Sequence, residues 1–484
     1  MSNFIKKNIS YIISIFILIG PIIDLLTGLC LHTLGIRFTI GIIFRVLFLI
    51  SICLITLFVY KKKKVLIPYL LIGLYWILYI IGIILYKNTG LFSEIQNLVK
   101  VFYFPIMFIS IYSLREEIRI SNMTLFTTLF LYLIFIFIPL LFGIGYETYK
   151  ITKAGTLGFY NSANEISGII SLLTPIMFVI IYKSKKLIPK ILLAIMYLVV
   201  ILMMGTKTPL LSLIVTLGAS MLFFWNKSFK EKHFNRIIIS VVALIIAITG
   251  MIIIIPKTNF YKNIETHLDF LEVDDIGDVF EDEKLVDHFI FSERLTFLHR
   301  KAKLYHRANT YQKLFGIGYL RQNGRSTKMI EMDYFDIFYS HGIVGFLIFF
   351  IITIYIVYKI IRKRKEFSYE RYMTDLSFLL IIVLSFFTGH IITAPAVSMI
   401  VTIIMLDLYR QDHKRILIVG DIKLSKKKLI IVKHEPIENN KIKLLIFKIL
   451  NYKSFDYSYS IDKNNNLVEI ASDNVLTKKE MQEL

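Results

Sequence analysis

Long apolar segments alternate with short polar ones along most of the chain. A transmembrane helix needs about 20 predominantly apolar residues, and runs of this kind occur at 9–30, 39–60, 65–85, 123–144, 165–182, 187–204, 209–225, 237–255, 334–358, 373–390 and 393–409. A shorter run, 101–114, is flanked by Lys100 and Arg115 and fits either a tilted span or a re-entrant segment. The pattern predicts an all-α integral membrane protein with about twelve transmembrane helices.

The composition supports this fold class. Of the 484 residues, 56% are hydrophobic, and the mean hydropathy is +0.65, which excludes a soluble domain of this size. Cys30 and Cys53 both lie within apolar runs, so we expect them to pack as small hydrophobic side chains rather than to bind a metal or form a disulfide framework. The first residues, MSNFIKKNIS, lead into an apolar run without a small-residue cleavage site, so the first helix is expected to be retained.

Basic residues predict the orientation. They cluster in every second loop, where the sequence has Lys6 and Lys7, Lys61–Lys64, Arg115 and Arg119, Lys183 to Lys186, Lys227 to Arg236, and Arg362–Lys365. Cytoplasmic loops carry an excess of Lys and Arg, so we predict a multi-pass protein of the cell membrane with both termini in the cytoplasm, provided that 101–114 crosses. The same distribution accounts for the net charge of +21 without a nucleic-acid partner.

This topology divides the chain into four regions. Residues 1–255 hold transmembrane helices one to nine, 256–333 form a large extracytoplasmic loop, 334–409 hold the last three helices, and 410–484 form a basic cytoplasmic tail. The loop is acidic in its first half and basic in its second. Its residues 293–313 have the spacing of one amphipathic helix. The tail is expected to form a small strand-containing module or to lie on anionic lipid, and it has no phosphate-binding glycine loop.

Several polar residues near the predicted outer surface are candidates for binding a ligand. Arg294 can hold an anionic group through its forked donors, but it also fits a solvated helix on the membrane surface. Lys207, in GTKTP, can face the same anion or simply extend to the interface. Asn164 can contact sugar hydroxyls, or Ser162 and Asn164 can cap the helix that follows. Asp24 lies deep in the first span, where an acid is either functional or paired with a distant cation.

The segment EMDYFDIFYSHGIVG, residues 331–345, places three acids directly before an apolar run. Asp333, Asp336 and Ser340 share one face of the predicted helix, and Asp333 is also suited to its positive N-terminal end. Glu331 precedes the helix at a boundary between water and lipid. A carboxylate partly withdrawn from water there is a candidate general base.

Together these features resemble the O-antigen ligase/polymerase family of membrane glycosyltransferases, over about residues 1–409. Two local motifs carry the resemblance, apart from the dozen spans and the large loop before the third-last one. The first is Arg294–Leu298 followed by a short helix and Gly316-x-Gly318. The second is a polar residue eleven positions before a helix beginning GIVG; many members have His-Asn there, and this chain has Glu331. GTKTP resembles a family position where Lys207 replaces arginine, and NSAN resembles an Asn-Pro-Asn stretch with Ala163 in place of proline.

The resemblance implies an enzyme that uses a polyprenyl-diphosphate-linked oligosaccharide outside the cytoplasm, with no cofactor and no metal. Arg294 and Lys207 would then stabilise the diphosphate leaving group, and Glu331 would be the base. Further substrate contacts are expected from Arg300, Arg321, Asp333, Asn164 and Tyr160. A flippase and a chain-length regulator of the same pathway are expected as partners, besides the lipid bilayer itself.

Three functions are compatible with this sequence. A polymerase of capsule, teichuronic-type or exopolysaccharide repeat units is favoured. The alternatives are a ligase that transfers the finished glycan to a cell-envelope acceptor, and a transporter or flippase of lipid-linked sugars. A transporter would be expected to distribute its charges along the middle of several spans, whereas this chain concentrates them in one loop.

Overall fold

The computed structural model describes residues 2–35, 40–86, 90–149, 154–184, 186–273, 276–319, 329–362, 368–412, 429–436, 458–461 and 466–472. It is an all-α membrane protein. The helices before the large loop are α1 Ser2–His32, α2 Ile40–Leu54 with a π-helical turn Ile55–Val59, α3 Leu66–Tyr86, α4 Leu91–Ser113, α5 Asn122–Leu141, α6 Ala163–Lys183, α7 Leu187–Met204, α8 Lys207–Lys230 and α9 Phe234–Ile254. Strands β1 Glu147–Tyr149 and β2 Ala154–Thr156 form a hairpin between α5 and α6.

The loop contributes five short helices, and three long ones complete the bundle. The short helices are α10 Asn259–Leu271, α11 Ile276–Val279, α12 Glu283–Phe289, α13 Arg294–His306 and α14 Thr310–Phe315, and the long ones are α15 Asp333–Arg362, α16 Tyr369–Phe387 and α17 Pro395–Asp412. Ten of the described helices are long and apolar enough to cross a membrane. The total of twelve spans and the side on which each loop lies stay predictions.

One predicted span is longer than expected, and one predicted helix is wrong. The run 101–114, for which the sequence left a tilted span or a re-entrant segment open, belongs to the 23-residue helix α4 up to Ser113. This helix is long enough to cross a bilayer, and polar residues such as Glu94 and Lys100 hide its first half in the hydropathy pattern. The single amphipathic helix predicted over 293–313 is wrong. It is two helices, because Asn309 accepts a hydrogen bond from the amide of Gln312 (2.8 Å) and begins a new helix there.

Three helices form the centre of the bundle. Helices α4 and α6 are the most buried of the apolar spans, and almost every described side chain of α17 is buried. Serine and threonine hydroxyls inside α6 donate to backbone carbonyls one turn earlier, as Ser171 does to Ser167 and Thr174 to Ile170. These two polar side chains therefore enter the apolar core with a hydrogen-bond partner.

The tail contains a three-stranded antiparallel sheet of Leu429–Pro436, Asn466–Ser472 and Ser458–Ile461, in that spatial order.

Helix α15 is broken near its start. Gly342 has φ 68° and ψ −175°, so its backbone is not helical. The break frees the carbonyls of Tyr339 and Ser340, which accept hydrogen bonds from the amides of Ile317 (3.2 Å) and Gly318 (3.0 Å). The Gly-x-Gly segment after α14 therefore completes the broken helix, which matters because an unsatisfied carbonyl at membrane depth costs several kcal/mol.

The site of this insertion leaves no room for a side chain. A Cβ at Gly342 would lie 2.5 Å from the amide nitrogen of Gly316 and 2.6 Å from the carbonyl oxygen of Leu314. The positive φ of Gly342 adds strain for any other residue, of about 1–3 kcal/mol. The two glycine motifs recognised separately in the sequence are thus the two halves of one backbone contact.

We predict that Gly342→Ala lowers the melting temperature of the detergent-purified protein and its abundance in the membrane. Gly218→Ala in α8 is the matched control, since a Cβ there meets no atom within 4 Å; it should leave the melting temperature unchanged or slightly higher. Equal melting temperatures for the wild type and Gly342→Ala would contradict the role assigned to the break.

Candidate active site

Glu331 lies just before α15 in a strained backbone conformation. Its φ is 61°, in the left-handed region that glycine favours. The carboxylate of Asp336, only 3% exposed, accepts hydrogen bonds from the amides of Ile330 (3.0 Å), Glu331 (2.8 Å) and Met332 (3.4 Å). One buried carboxylate thus holds the segment that presents Glu331.

A second buried carboxylate connects this segment to the loop before α17. Asp333 is 1% exposed and accepts hydrogen bonds from the amides of His390 (2.7 Å), Ile391 (2.8 Å) and Ile392 (2.9 Å). It also accepts one from the hydroxyl of Thr393, at 2.6 Å. These four donors occupy its oxygens, so the sugar contact expected of Asp333 is not available to it, and we assign it a positioning role.

The same loop presses against the backbone of Glu331. Gly389 has φ 63°, and a Cβ on it would lie 2.4 Å from the carbonyl carbon of Glu331. Only glycine permits this approach. The position of Glu331 is therefore determined from two sides, by the carboxylate of Asp336 and by the backbone at Gly389.

Arg294 is the first residue of α13, and Asp287 determines where that helix begins. The Asp287 carboxylate accepts hydrogen bonds from the amides of Leu295 and Thr296 (both 2.9 Å) and from the Thr296 hydroxyl (2.7 Å). It thereby satisfies amides that a helix start leaves unpaired. Arg294 projects from this fixed end, and its Nε is buried without a hydrogen-bond partner among the described residues.

Glu331 and Arg294 form an ion pair. The Arg294 Nη2 atom lies 3.2 Å from Glu331 Oε2, and the two side chains are 13% and 31% exposed. The Nδ2 atom of Asn164, at the start of α6, donates to the same Oε2 at 3.4 Å. Two side chains from distant parts of the chain therefore converge on one carboxylate oxygen of Glu331, and the carboxylate stays accessible to solvent.

Lys207 lies beside this group at the start of α8. Its Nζ donates to the carbonyl of Phe289 and lies 4.5 Å from the centroid of the Phe289 ring. Neither contact neutralises its charge. Arg294 is close enough to interact with it electrostatically, so a second cation lies near the arginine that pairs with Glu331.

The pKa of a loop histidine reflects the same positive field. Burial lowers the pKa of His267, and the nearby Lys207 and His288 lower it further. A surface on which cations disfavour a further positive charge is suited to an anionic ligand. Within the described residues, no group of three or more His, Cys, Asp or Glu side chains is arranged to hold a metal ion.

The remaining predicted site residues lie apart from this group or outside the described segments. Tyr160 is 1% exposed and its ring packs 5.4 Å from that of Tyr132, so a sugar cannot reach it without rearrangement. Arg300 is exposed and its guanidinium lies 5.6 Å from the Phe297 ring. Arg321 falls outside the described residues.

The acid in the first span has a partner. The Asp24 carboxylate forms an ion pair with Arg45 of α2 at 2.6 Å and accepts a hydrogen bond from the hydroxyl of Tyr132 at 2.6 Å. A paired and hydrogen-bonded ion is the form in which charge is tolerated within a membrane. We therefore assign Asp24 to the joining of α1, α2 and α5.

We predict that Asp336→Asn loosens the segment that carries Glu331. Hydrogen bonds to a charged group contribute about 1.5–3 kcal/mol each, so losing the charge should speed hydrogen exchange of the amides of 330–332 by about tenfold or more. Hydrogen-exchange mass spectrometry measures this. Asp278→Asn, on an exposed loop residue, is the control. Unchanged protection in Asp336→Asn would show that another contact holds the segment.

Comparison with known proteins supports the resemblance found in the motifs. The sequence model of the family described as O-antigen ligase like membrane protein matches residues 6–286 and 277–411. No curated protein shows significant sequence similarity to the chain. The match covers nearly all of the membrane part, and the chain belongs to this family of multi-pass membrane proteins.

Proposed function

From this membership, from the convergence of Arg294 and Asn164 on Glu331, and from Lys207 near Arg294, we propose that the protein polymerises lipid-diphosphate-linked oligosaccharide repeat units. The family makes the chain a membrane glycan-processing enzyme of the ligase or polymerase kind. The Arg294–Glu331 ion pair is the observation on which the finer proposal rests, because it joins a diphosphate-binding group to a proton acceptor.

Arg294 and Lys207 would bind the diphosphate of the donor. The Nε atom of Arg294 is buried and has no partner in the part of the chain that the structure describes. It offers a donor next to the Nη2 atom, as the two-point binding of a phosphate requires. Lys207 adds a second charge from the start of α8, where the positive end of the helix also favours an anion. Cations held ready in a low-dielectric site stabilise the charge that develops on a leaving group.

Glu331 would accept the proton of the attacking hydroxyl. A bound diphosphate competes with Glu331 for the Arg294 guanidinium and so frees the carboxylate when the donor arrives. The acceptor oxygen then attacks the anomeric carbon, its proton passes to Glu331, and the bond from that carbon to the diphosphate oxygen breaks. The products are the lengthened glycan and the polyprenyl diphosphate, and Asn164 orients the carboxylate throughout.

Polymerase and ligase share this chemistry and differ in the acceptor. We favour polymerisation of a surface polysaccharide, such as a capsule, teichuronic-type polymer or exopolysaccharide, over ligation of the finished glycan to a cell-envelope acceptor. A transporter of lipid-linked sugars is less well supported, since the intramembrane charge Asp24 is paired with Arg45.

We predict that Glu331→Gln reduces polymer synthesis by about 10²-fold or more, which is the contribution typical of a general base. The polysaccharide made by cells expressing the variant, sized on a gel, should consist of single repeat units at a normal protein level. Glu331→His should retain part of the activity, because imidazole also accepts a proton.

Glu265→Gln, an exposed acid of the loop, is the control for Glu331→Gln and should leave the polymer length unchanged. Full-length polymer from Glu331→Gln would overturn the assignment of the base.

We predict that Arg294→Gln lowers kcat/KM for a lipid-linked repeat unit by about 10²-fold, the usual cost of removing one donor to a developing anion. Arg294→Lys should lower kcat/KM less, because it keeps the positive charge although it lacks the paired donors of the guanidinium. Arg300→Gln tests the exposed arginine predicted as a further contact and should have little effect. A wild-type kcat/KM for Arg294→Gln would contradict the diphosphate role.

A further inference from the structure

A cavity of about 400 Å³ lies at the opposite end of α8 from Lys207. It is formed between α6, α8 and α9, and Lys227, Arg236, Trp225, Ser228 and Ser240 are among its lining residues. The α8 residues that line the cavity begin at Leu217 and end at Ser228, so about 15–30 Å of helix separates them from Lys207. The cavity is therefore a separate feature of the molecule.

The entrance carries more positive than negative charge. Glu231 is the acid next to both lining cations, 3.9 Å from Lys227 Nζ and 3.4 Å from Arg236 Nη1. The side chain of Lys227 is 53% exposed, that of Arg236 64% and that of Glu231 41%, so these ion pairs are weak in water. One carboxylate shared by two hydrated cations leaves a net positive charge, which an anionic group can balance.

Part of the cavity wall is apolar. Leu217, Met221 and Phe224 of α8 form this part. Helix α9 packs on α8, and among its described side chains none is buried. The Trp225 Nε1 donates to Ser240 Oγ at 2.6 Å and ties the two helices together at the cavity. The cavity thus combines exposed cations with an apolar wall.

We propose that this cavity binds the headgroup of an anionic phospholipid, with an acyl chain along the α8–α9 wall. Each Lys or Arg near an anionic membrane surface contributes attraction, and the indole of Trp225 suits the headgroup level. The tendency of basic residues to face the cytoplasm explains why cations occur at this end. It does not account for a cavity with cations at its entrance and an apolar wall inside.

The chain provides its own probe for this proposal. It has two tryptophans, Trp76 and Trp225, so Trp76→Phe leaves Trp225 in the cavity as the single fluorophore. The purified full-length Trp76→Phe protein is placed in phosphatidylcholine nanodiscs that contain increasing fractions of brominated phosphatidylglycerol, whose bromine quenches indole fluorescence on contact. We expect quenching that saturates at a low fraction, and that brominated phosphatidylcholine at the same fraction does not reproduce.

Matched variants locate the site. Lys227→Gln with Arg236→Gln, in the Trp76→Phe background, should raise the half-saturating fraction of lipid by about tenfold or more. Lys230→Gln with Lys232→Gln removes the same charge from the same end outside the lining residues and should leave it unchanged. Equal effects of the two pairs, or equal quenching by both brominated lipids, would overturn the proposal. Displacement of the lipid by millimolar inorganic phosphate would instead identify a site for free phosphate.

Discussion

The backbone contact between the Gly-x-Gly segment and the broken helix α15 is the constraint on which the rest of the site depends. The amides of Ile317 and Gly318 satisfy the carbonyls of Tyr339 and Ser340, groups that have no water to bind at membrane depth. Buried Glu94 of α4 holds the next residue, because its carboxylate accepts the amide of Tyr319 at 2.9 and 3.0 Å. The extramembrane loop is thereby anchored within the bundle, which places α13 and its Arg294 beside the start of α15.

Most of the acids near Glu331 serve the backbone rather than the ligand. Asp336 and Asp333 each accept hydrogen bonds from three backbone amides. Asp287 accepts hydrogen bonds from two amides at the start of α13. The hydrogen bonds that these carboxylates accept replace bonds that the irregular backbone lacks. Glu331 differs from all three, because its side chain is open and its partners are side chains that a ligand can displace.

The sequence was sufficient to predict the helical bundle, because long apolar runs and periodic basic loops leave few alternatives. Arg294 and Asn164, which meet at Glu331, were both candidates in the sequence, Arg294 for its forked donors and Asn164 as an amide at the mouth of a span. Lys207 was a candidate because the orientation rule does not call for a cation there. The sequence did not separate Asp333 from Glu331, since both are acids at a helix start and only the tertiary contacts with His390 to Thr393 distinguish them. Nor could it pair Asp24 with Arg45 or identify Gly389, since these depend on how loops and helices meet in space.

The proposed function requires that one polypeptide join identical lipid-linked repeat units. The most direct measurement supplies the purified protein, in liposomes, with a single lipid-linked repeat unit as both donor and acceptor, and sizes the products. We expect a ladder of lipid-linked polymers, with release of polyprenyl diphosphate in proportion to the glycosidic bonds formed. Transfer that occurs only after a different envelope acceptor is added, with no ladder from repeat units alone, would contradict it.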